Sequence, residues 1–229
     1  MFHKTKDESL AQLGAATRTL LHEIKNPLSA MAIQSALLRS EIPSEFHGDL
    51  DILDHEIQRL ANLTNSVGEF FKNPLGADSE IDLIPFIKDI IRLFPQDIKF
   101  SYEPFSSVTI VFDKDRARSV IENLIKNACE SSKIHNPNVE VFIKPAQKKN
   151  RISIEICDRG TGIPKSARDK LFDPFFTTKE NGSGIGLSIS KQFIEARNGS
   201  LQLLDRNGGG TVARIILPAK TEKSKVSGK

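Results

Sequence analysis

His22 stands in the run Leu21-His22-Glu23-Ile24-Lys25-Asn26-Pro27-Leu28. An exposed neutral imidazole is a competent nucleophile toward phosphorus, and the adjacent Glu23 can take the ring proton or orient the ring. Asn26, four residues on, shares the face of His22 if the run is helical. From there its amide can position a water against a phosphorylated ring or against a partner's acyl phosphate. Pro27 removes one helical hydrogen bond just below the site and should bend the helix. A single surface histidine means little alone, so the remaining groups decide.

Asn123 and Asn127, also four apart, fall on one side of a helical run, opposite its apolar stripe. Stacked amides can reach phosphate oxygens, and their carbonyl oxygens suit a hard cation such as Mg²⁺. A solvated polar face would explain them equally well. Asp158-Arg159-Gly160-Thr161-Gly162-Ile163-Pro164 follows a strand-like run. Its glycines let the backbone turn and approach a ligand, and its carboxylate is an acceptor for an exocyclic amine such as that of adenine. Asn181-Gly182-Ser183-Gly184-Ile185-Gly186-Leu187-Ser188 opens a helical run; glycines there expose amide donors to phosphate, although flexible loops also collect glycine. Between these two stretches lies Leu171-Phe172-Asp173-Pro174-Phe175-Phe176-Thr177-Thr178-Lys179. Its phenylalanines read as a hinged lid or as plain core, and Lys179 could contact phosphate.

The elements that must hold these groups follow from periodicity. Leu10, Leu13, Thr17, Leu20, Ile24, Leu28, Met31, Ser35, Leu38 and Ile42 recur in steps of three and four, a heptad seam that places His22 just off it. Ile42-Pro43-Ser44 breaks the seam. A second runs through Phe46, Leu50, Leu53, Ile57, Leu60, Thr64, Val67 and Phe71 and ends before Pro74 and Gly76. A lone helical hairpin buries little, so two hairpins pairing as a four-helix bundle in a homodimer are expected. From about Glu80 the pattern changes to a short helix over 84–93, strands over 98–102 and 108–112, a helix over 114–132, strands over 139–144 and 151–157, a helix ending near Ala196, and strands over 200–204 and 211–217. That order predicts an α+β fold, an α/β sandwich with a mixed sheet and helices on one face. Three domains result: a dimerisation and histidine-bearing hairpin at 1–75, an α/β domain at 76–219 and a basic tail at 220–229.

Composition narrows the function classes. A net charge of +3, much of it from the terminal lysines, gives no clustered basic excess for nucleic acid. Cys129 and Cys157 have no metal-ligand spacing and sit among apolar residues, so free buried thiols in a reducing, cytoplasmic setting are expected. No apolar run nears the ~18 residues that span a bilayer, and Met1 to Glu8 is too polar for a secretory signal. A sensor, membrane-bound or not, would lie outside these residues or on another subunit.

Taken in order and spacing, these stretches resemble the histidine kinase family from about Glu8 to Ala219. Leu21 to Leu28 is similar to its phosphoacceptor box, Asn123 to Ala128 to its asparagine box, Asp158 to Gly162 and Gly182 to Gly186 to its two glycine boxes, and Phe172 to Phe176 to its phenylalanine box. The wording His-Glu-Ile-Lys-Asn-Pro and Pro-Phe-Phe-Thr-Thr-Lys looks most like the nitrogen-regulatory branch. The resemblance implies a Bergerat-class ATP domain, ATP-dependent autophosphorylation of His22, and transfer to an aspartate of a response-regulator receiver domain, with phosphatase activity left open. It also implies that Asn127 binds Mg²⁺ with Asn123 beside the phosphates, that Asp158 holds adenine with support from Thr211, and that Gly160, Gly162, Gly182, Gly184, Gly186 and Leu187 shape the nucleotide site. Two departures stand out: Leu21 where Ser or Ala is frequent, and Glu130 where some relatives carry a basic residue, which leaves Lys126 or Lys179 to neutralise phosphate. Other ATPases of the same nucleotide fold have no use for the His22 hairpin, and a scaffold with a degenerate site would not keep all five boxes.

Overall fold

The computed structural model describes residues 2–71, 73–95, 97–131, 139–179 and 182–223; for residues 2–16, 18 and 223 it describes the backbone alone. Expectations for the side chains of Leu10 and Leu13, for Ser132 and Asn181, and for residues 224–229 lie outside the described residues. The chain divides into two units after Asn73, with residues 175–185 grouped with the first.

In the first unit, α1 (Phe2–Glu41) and α2 (His47–Phe70) form a hairpin joined by a short 3-10 turn at Ser44–Phe46. α1 stops one residue before Ile42-Pro43, because proline lacks the donor and disfavours helical geometry in the residue before it. It runs through Pro27 without ending there. Arg39 ties the top of the hairpin by donating to Asp51 at 2.7 Å and Asp54 at 2.9 Å.

The packing corrects the expected seam. Leu21, Leu28 and Ser35 on α1 and Leu50, Ile57 and Thr64 on α2 are buried, each series seven residues apart. Leu20, Ile24, Met31 and Leu38 remain 58, 47, 52 and 42% exposed, as do Leu53 at 46% and Leu60 at 48%. One neighbouring helix covers only one position per heptad, so the second apolar position of each heptad stays at the surface. Leu21, not Leu20, enters the hairpin core. A Cβ on Gly68 would lie 3.5 Å from Leu21 Cδ1, so the leucine beside His22 packs over a glycine of α2.

The second unit holds α3 (Leu83–Ile91), α4 (Lys114–Ser131) and α5 (Gly186–Glu195). Its five-stranded mixed sheet runs in the order β2 (Ile98–Tyr102), β4 (Val139–Pro145), β5 (Arg151–Cys157), β7 (Thr211–Pro218), β6 (Ser200–Asp205). Only β2 and β4 are parallel. Ile152, Ile154 and Ile156 on β5 meet a core that includes Val120, Leu124, Ile125 and Phe193 from the helices. The alternate β5 residues, Ser153, Glu155 and Cys157, point to the other face. There Glu155 is buried between Lys144 at 2.8 Å and Arg214 at 2.7 Å. Cys129 and Cys157 are free thiols, and burial pushes both above the usual thiol range.

A second, three-stranded sheet in the order β1 (Ser79–Asp82), β3 (Phe105–Phe112), β8 (Lys220–Lys223) differs from the expected single sheet. β1 carries one buried apolar residue, Ile81. β8 takes up the first four residues of the expected basic tail by pairing antiparallel with β3, and Lys220 Nζ donates to Glu80 at 3.1 Å. Both strands form because β3 offers backbone hydrogen bonds on each edge, a pull that hydrophobic alternation does not reveal. The segment ahead of β1 is pinned to this unit: Ala77 N–H donates to Asp113 Oδ2 at 2.7 Å, and Arg197 pairs with Asp78 and donates to the Leu75 carbonyl.

Burial pushes the Glu155 carboxyl up, but hydrogen bonds from Lys144 and Arg214 outweigh it and hold the carboxyl below the usual carboxylate range. Its contribution is therefore present above the unfolded carboxyl pKa and lost as the pH falls through the folded one. Glu155→Gln should lower the unfolding free energy by about 1–3 kcal/mol at neutral pH. The gap to the unaltered chain should close in acid, once the pH has fallen below the lowered folded-state pKa of Glu155. Urea denaturation at neutral and acid pH checks this, and a gap that persists in acid would contradict it.

Candidate functional site

On the hairpin, His22, Glu23 and Asn26 are all exposed on α1. A helix turns ~100° per residue, so His22 projects sideways from the line of the buried Leu21 and Leu28. Asn26 follows one turn later on the same side. The group presents a free-standing imidazole with a carboxylate and an amide for neighbours.

In the second unit, α4 carries the next set. Asn123 Nδ2 donates to Ser190 Oγ at 2.9 Å, and Ser190 Oγ donates to the Gly186 carbonyl at 2.8 Å. A Cβ on Gly186 would fall 2.3 Å from Asn123 Oδ1. Asn123 is thus half-buried against the first turn of α5 rather than spread on a solvated face, and Gly186 is required for that approach. Leu187 is half-buried in the same turn. Asn127 is half-buried one turn further along α4, and one turn beyond it Ser131 meets the Asp158 loop: a Cβ on Gly160 would lie 2.5 Å from Ser131 Oγ and 2.6 Å from its carbonyl oxygen. Lys126 is exposed, with Glu130 Oε1 3.9 Å away.

Asp158 leaves β5 with its side chain almost fully buried at 5% exposure. Its Oδ1 accepts from the N–H groups of Gly160 at 2.8 Å and Thr211 at 3.1 Å. Its own N–H donates to the Thr211 carbonyl at 3.0 Å. With Oδ1 taken twice, Oδ2 is the oxygen turned to other use. Gly210 has φ +97, and a Cβ there would lie 2.2 Å from the Asp158 carbonyl oxygen. Gly162 has φ +72, and a Cβ there would lie at an ordinary contact distance of 3.7 Å from the Gly210 carbonyl oxygen. At Gly210 the two loops therefore meet backbone to backbone, at a distance that only glycine allows.

The loop over 175–185 closes on itself. Phe175 is 62% exposed with φ 68, an uncommon conformation for a non-glycine residue. A Cβ on Gly184 would lie 2.5 Å from the Phe175 carbonyl carbon and 2.8 Å from Phe176 N. Lys179 N–H donates to Thr177 Oγ1 at 3.1 Å, and a Cβ on Gly182 would strike that same hydroxyl at 2.4 Å. Lys179 itself is exposed. Just ahead of the loop, Phe172 lies under Lys191 Nζ, 4.8 Å from the ring centroid.

Asn123, Gly186 and Leu187 are thus brought together at the α4–α5 contact. Asp158, Gly160, Gly162 and Thr211 come together at the ends of β5 and β7. Asn127 lies on α4 between these groups. A cavity of about 380 Å³ opens elsewhere, among Thr109, Val111, Asn198 and Leu217, and includes none of the candidate residues. Among the described residues no three His, Cys, Asp or Glu side chains gather to hold a metal. The Asn127 amide oxygen fits a divalent ion that takes its remaining ligands from phosphate and water. Ser190, Ser131, Glu140 and Arg206 also belong to the site's framework, and the sequence reading missed them. Their partners lie tens of residues away, so no local spacing marks them.

Two family models match in tandem: the His Kinase A (phospho-acceptor) domain over residues 12–76 and the Histidine kinase-, DNA gyrase B-, and HSP90-like ATPase over residues 112–221. The nitrogen regulation protein NtrY of Azorhizobium caulinodans is 26% identical over 222 residues, 90% of this chain and 29% of that protein. The sensor protein kinase WalK of Staphylococcus aureus is 32% identical over 219 residues, 87% of this chain and 52% of that protein. The chain therefore spans about half or less of the length of these relatives. Among solved structures, full-length ShkA in complex with AMPPNP superposes with a TM-score of 0.75 at 23% identity, covering 92% of this chain and 47% of that one. Histidine kinase ThkA in complex with response regulator protein TrrA gives 0.66 at 24% identity, over 94% and 64% of the two chains; both likenesses concern the fold. With the phospho-acceptor and ATPase models matching in this order and together spanning well over half of its residues, the chain belongs to the histidine kinase family, as its boxes led one to expect.

Proposed function

We propose that this chain is the kinase core of a two-component signalling protein, transferring the γ-phosphoryl group of ATP to His22 and from there to an aspartate of a response-regulator receiver domain. The observation that carries the reading is an exposed histidine on a helical hairpin in the same chain as a buried, half-saturated Asp158. The hairpin separates this reading from that of a gyrase-like or chaperone-like ATPase.

The chemistry assigned to the chain is in-line phosphoryl transfer, which needs positioning and charge neutralisation more than covalent help. An imidazole nitrogen of His22 forms the N–P bond as the bond from phosphorus to the ADP oxygen breaks, and Glu23 takes up or orients the ring proton. Asp158 Oδ2 accepts from the adenine amine, with Thr211 beside it and Gly160 and Gly162 allowing the base to approach. Asn127 would hold Mg²⁺ through its amide oxygen, and the ion when bound neutralises phosphate charge. Asn123 would stand beside the phosphates once released from Ser190, or hold α5 in place if it is not. Gly182, Gly184, Gly186 and Leu187 would let the loop meet the triphosphate. Lys179 supplies positive charge there, as does Lys126 if Glu130 releases it.

The module boundaries follow the same reading: a phosphoacceptor module at 1–75 and a nucleotide module at 76–219 that β8 extends to Lys223. A second copy of the hairpin would cover Leu20, Ile24, Met31, Leu38, Leu53 and Leu60, making a homodimeric four-helix bundle. Asn26, beside His22, would orient a hydrolytic water in a companion phosphatase reaction. The AMPPNP held by ShkA and the TrrA held by ThkA are ligands of those relatives and support the same classes of ligand here. No described helix is long and apolar enough to cross a membrane. The reading adds a cytoplasmic setting and an upstream sensor module outside these residues.

Incubation with γ-labelled ATP tests the acceptor. The unaltered chain should take up label that is lost in acid, and His22→Ala should take up none while binding nucleotide within about twofold of the unaltered chain. An acid-stable label, or undiminished labelling of the variant, would count against His22. Asn127→Ala should cut the autophosphorylation rate by about a hundredfold or more in Mg²⁺. Full activity in that variant would remove Asn127 from the metal site.

A further inference from the structure

Asp158 is aimed by a turn that should not hold still by itself. The link from β6 to β7 is Arg206-Asn207-Gly208-Gly209-Gly210, and the three glycines have φ values of +82, +96 and +97. Glycine loses more backbone freedom on folding than any other residue. Yet this turn delivers the Thr211 N–H that fixes Asp158 Oδ1.

Two arginines cross over the turn. Arg206 Nη1 donates to the Asp158 carbonyl at 3.1 Å. Its guanidinium also pairs with the Glu140 carboxylate of β4, and the two side chains are only 12% and 19% exposed. Its backbone N–H donates to the Gly210 carbonyl at 3.0 Å, and its carbonyl accepts from Gly209 N–H at 3.0 Å. From the other side, Arg159, the residue after Asp158, donates through Nη1 to the Asn207 carbonyl at 2.8 Å and to that of Gly209 at 3.4 Å. Each loop thus sends an arginine to the backbone of the other. A nearly buried ion pair is a poor source of stability, because desolvation offsets most of its attraction. Its geometric effect is better defined: it fixes where the Asp158 carbonyl and the glycine turn sit.

We propose that Arg206, held by Glu140 and opposed by Arg159, is a positioning clasp that sets the Asp158 carboxylate and so gives the nucleotide site its preference for adenine over guanine. The proposal rests on the reading of Asp158 as the acceptor for the base amine. Guanine presents a carbonyl where adenine presents that amine, and two acceptors facing each other are left unpaired. The discrimination is strong only if the carboxylate cannot turn away.

Binding of ATP, GTP and inorganic triphosphate to the full chain, measured by calorimetry beside thermal denaturation, tests this. Arg206→Met should weaken ATP by about tenfold and leave GTP and triphosphate within about twofold, so that the preference for ATP collapses. Arg206→Lys should keep an intermediate preference, since an ammonium can still meet Glu140 but cannot fork to the Asp158 carbonyl. Arg159→Ala, which alters an exposed side chain, tests the other arm should Arg206→Met fail to fold, and should reduce the preference by about threefold. Asp158→Asn separates the two layers of the argument. If it loses the ATP preference while the two arginine variants keep theirs, the clasp is overturned and the base-acceptor reading stands. If Asp158→Asn keeps the preference, both fall. An equal loss of all three ligands in Arg206→Met would also overturn the clasp, leaving a merely structural arginine.

Discussion

The proposed nucleotide site depends on how one carboxylate is shared. Asp158 is nearly buried, and a buried carboxylate without hydrogen bonds is costly. Two backbone amides, those of Gly160 and Thr211, satisfy Oδ1. That arrangement requires the end of β5, the start of β7 and the loop after Asp158 to converge on one atom. The close passage of Gly210 past the Asp158 carbonyl follows from the same requirement. The gain for function is an oxygen whose direction is fixed before any ligand arrives, which is the condition for selective recognition in a dry site.

α4 turns this local constraint into a site. Asn123, Asn127 and Ser131 recur every four residues and so line one edge of the helix. Asn123 engages the start of α5 through Ser190 and Gly186, and Ser131 engages the Asp158 loop at Gly160. Asn127 lies between these two anchors. The adjoining flank of α4, with Val120, Leu124 and Ala128, is buried in the core. The helix is therefore held on one side by apolar packing and at two points by close backbone approaches, which gives an amide at Asn127 a defined position despite its polar surroundings.

Legibility in the sequence followed the range of the interactions. α4, β5, β6 and β7 were readable within a residue or two because their apolar periodicity is local, and the glycine-rich loops were readable because glycine marks places where a Cβ cannot fit. β1 and β8 were not readable: Ser-Glu-Ile-Asp and Lys-Thr-Glu-Lys carry almost no apolar signal and exist because β3 has edges to fill. The Asn123–Ser190 bond joins residues 67 apart and the Arg206–Glu140 pair residues 66 apart, so neither leaves a short-range pattern. The hairpin was legible as two seams but not as to which position each seam buries, since Leu20 and Leu21 are both leucine and only the partner helix chooses between them.

That choice bears on His22. Leu21 turns inward over Gly68, where a Cβ would make ordinary contact with it at 3.5 Å. With Leu21 anchored, the next residue is forced to the side, about 100° around the helix. The exposure of His22 is a consequence of packing rather than of an exposed stretch of helix, and the same packing leaves Leu20 and Ile24, two residues before and after His22 in sequence, uncovered. In the proposed dimer those two positions, which lie on the far side of α1 from His22, would be covered by the partner hairpin, and the imidazole would stay at the surface outside both seams.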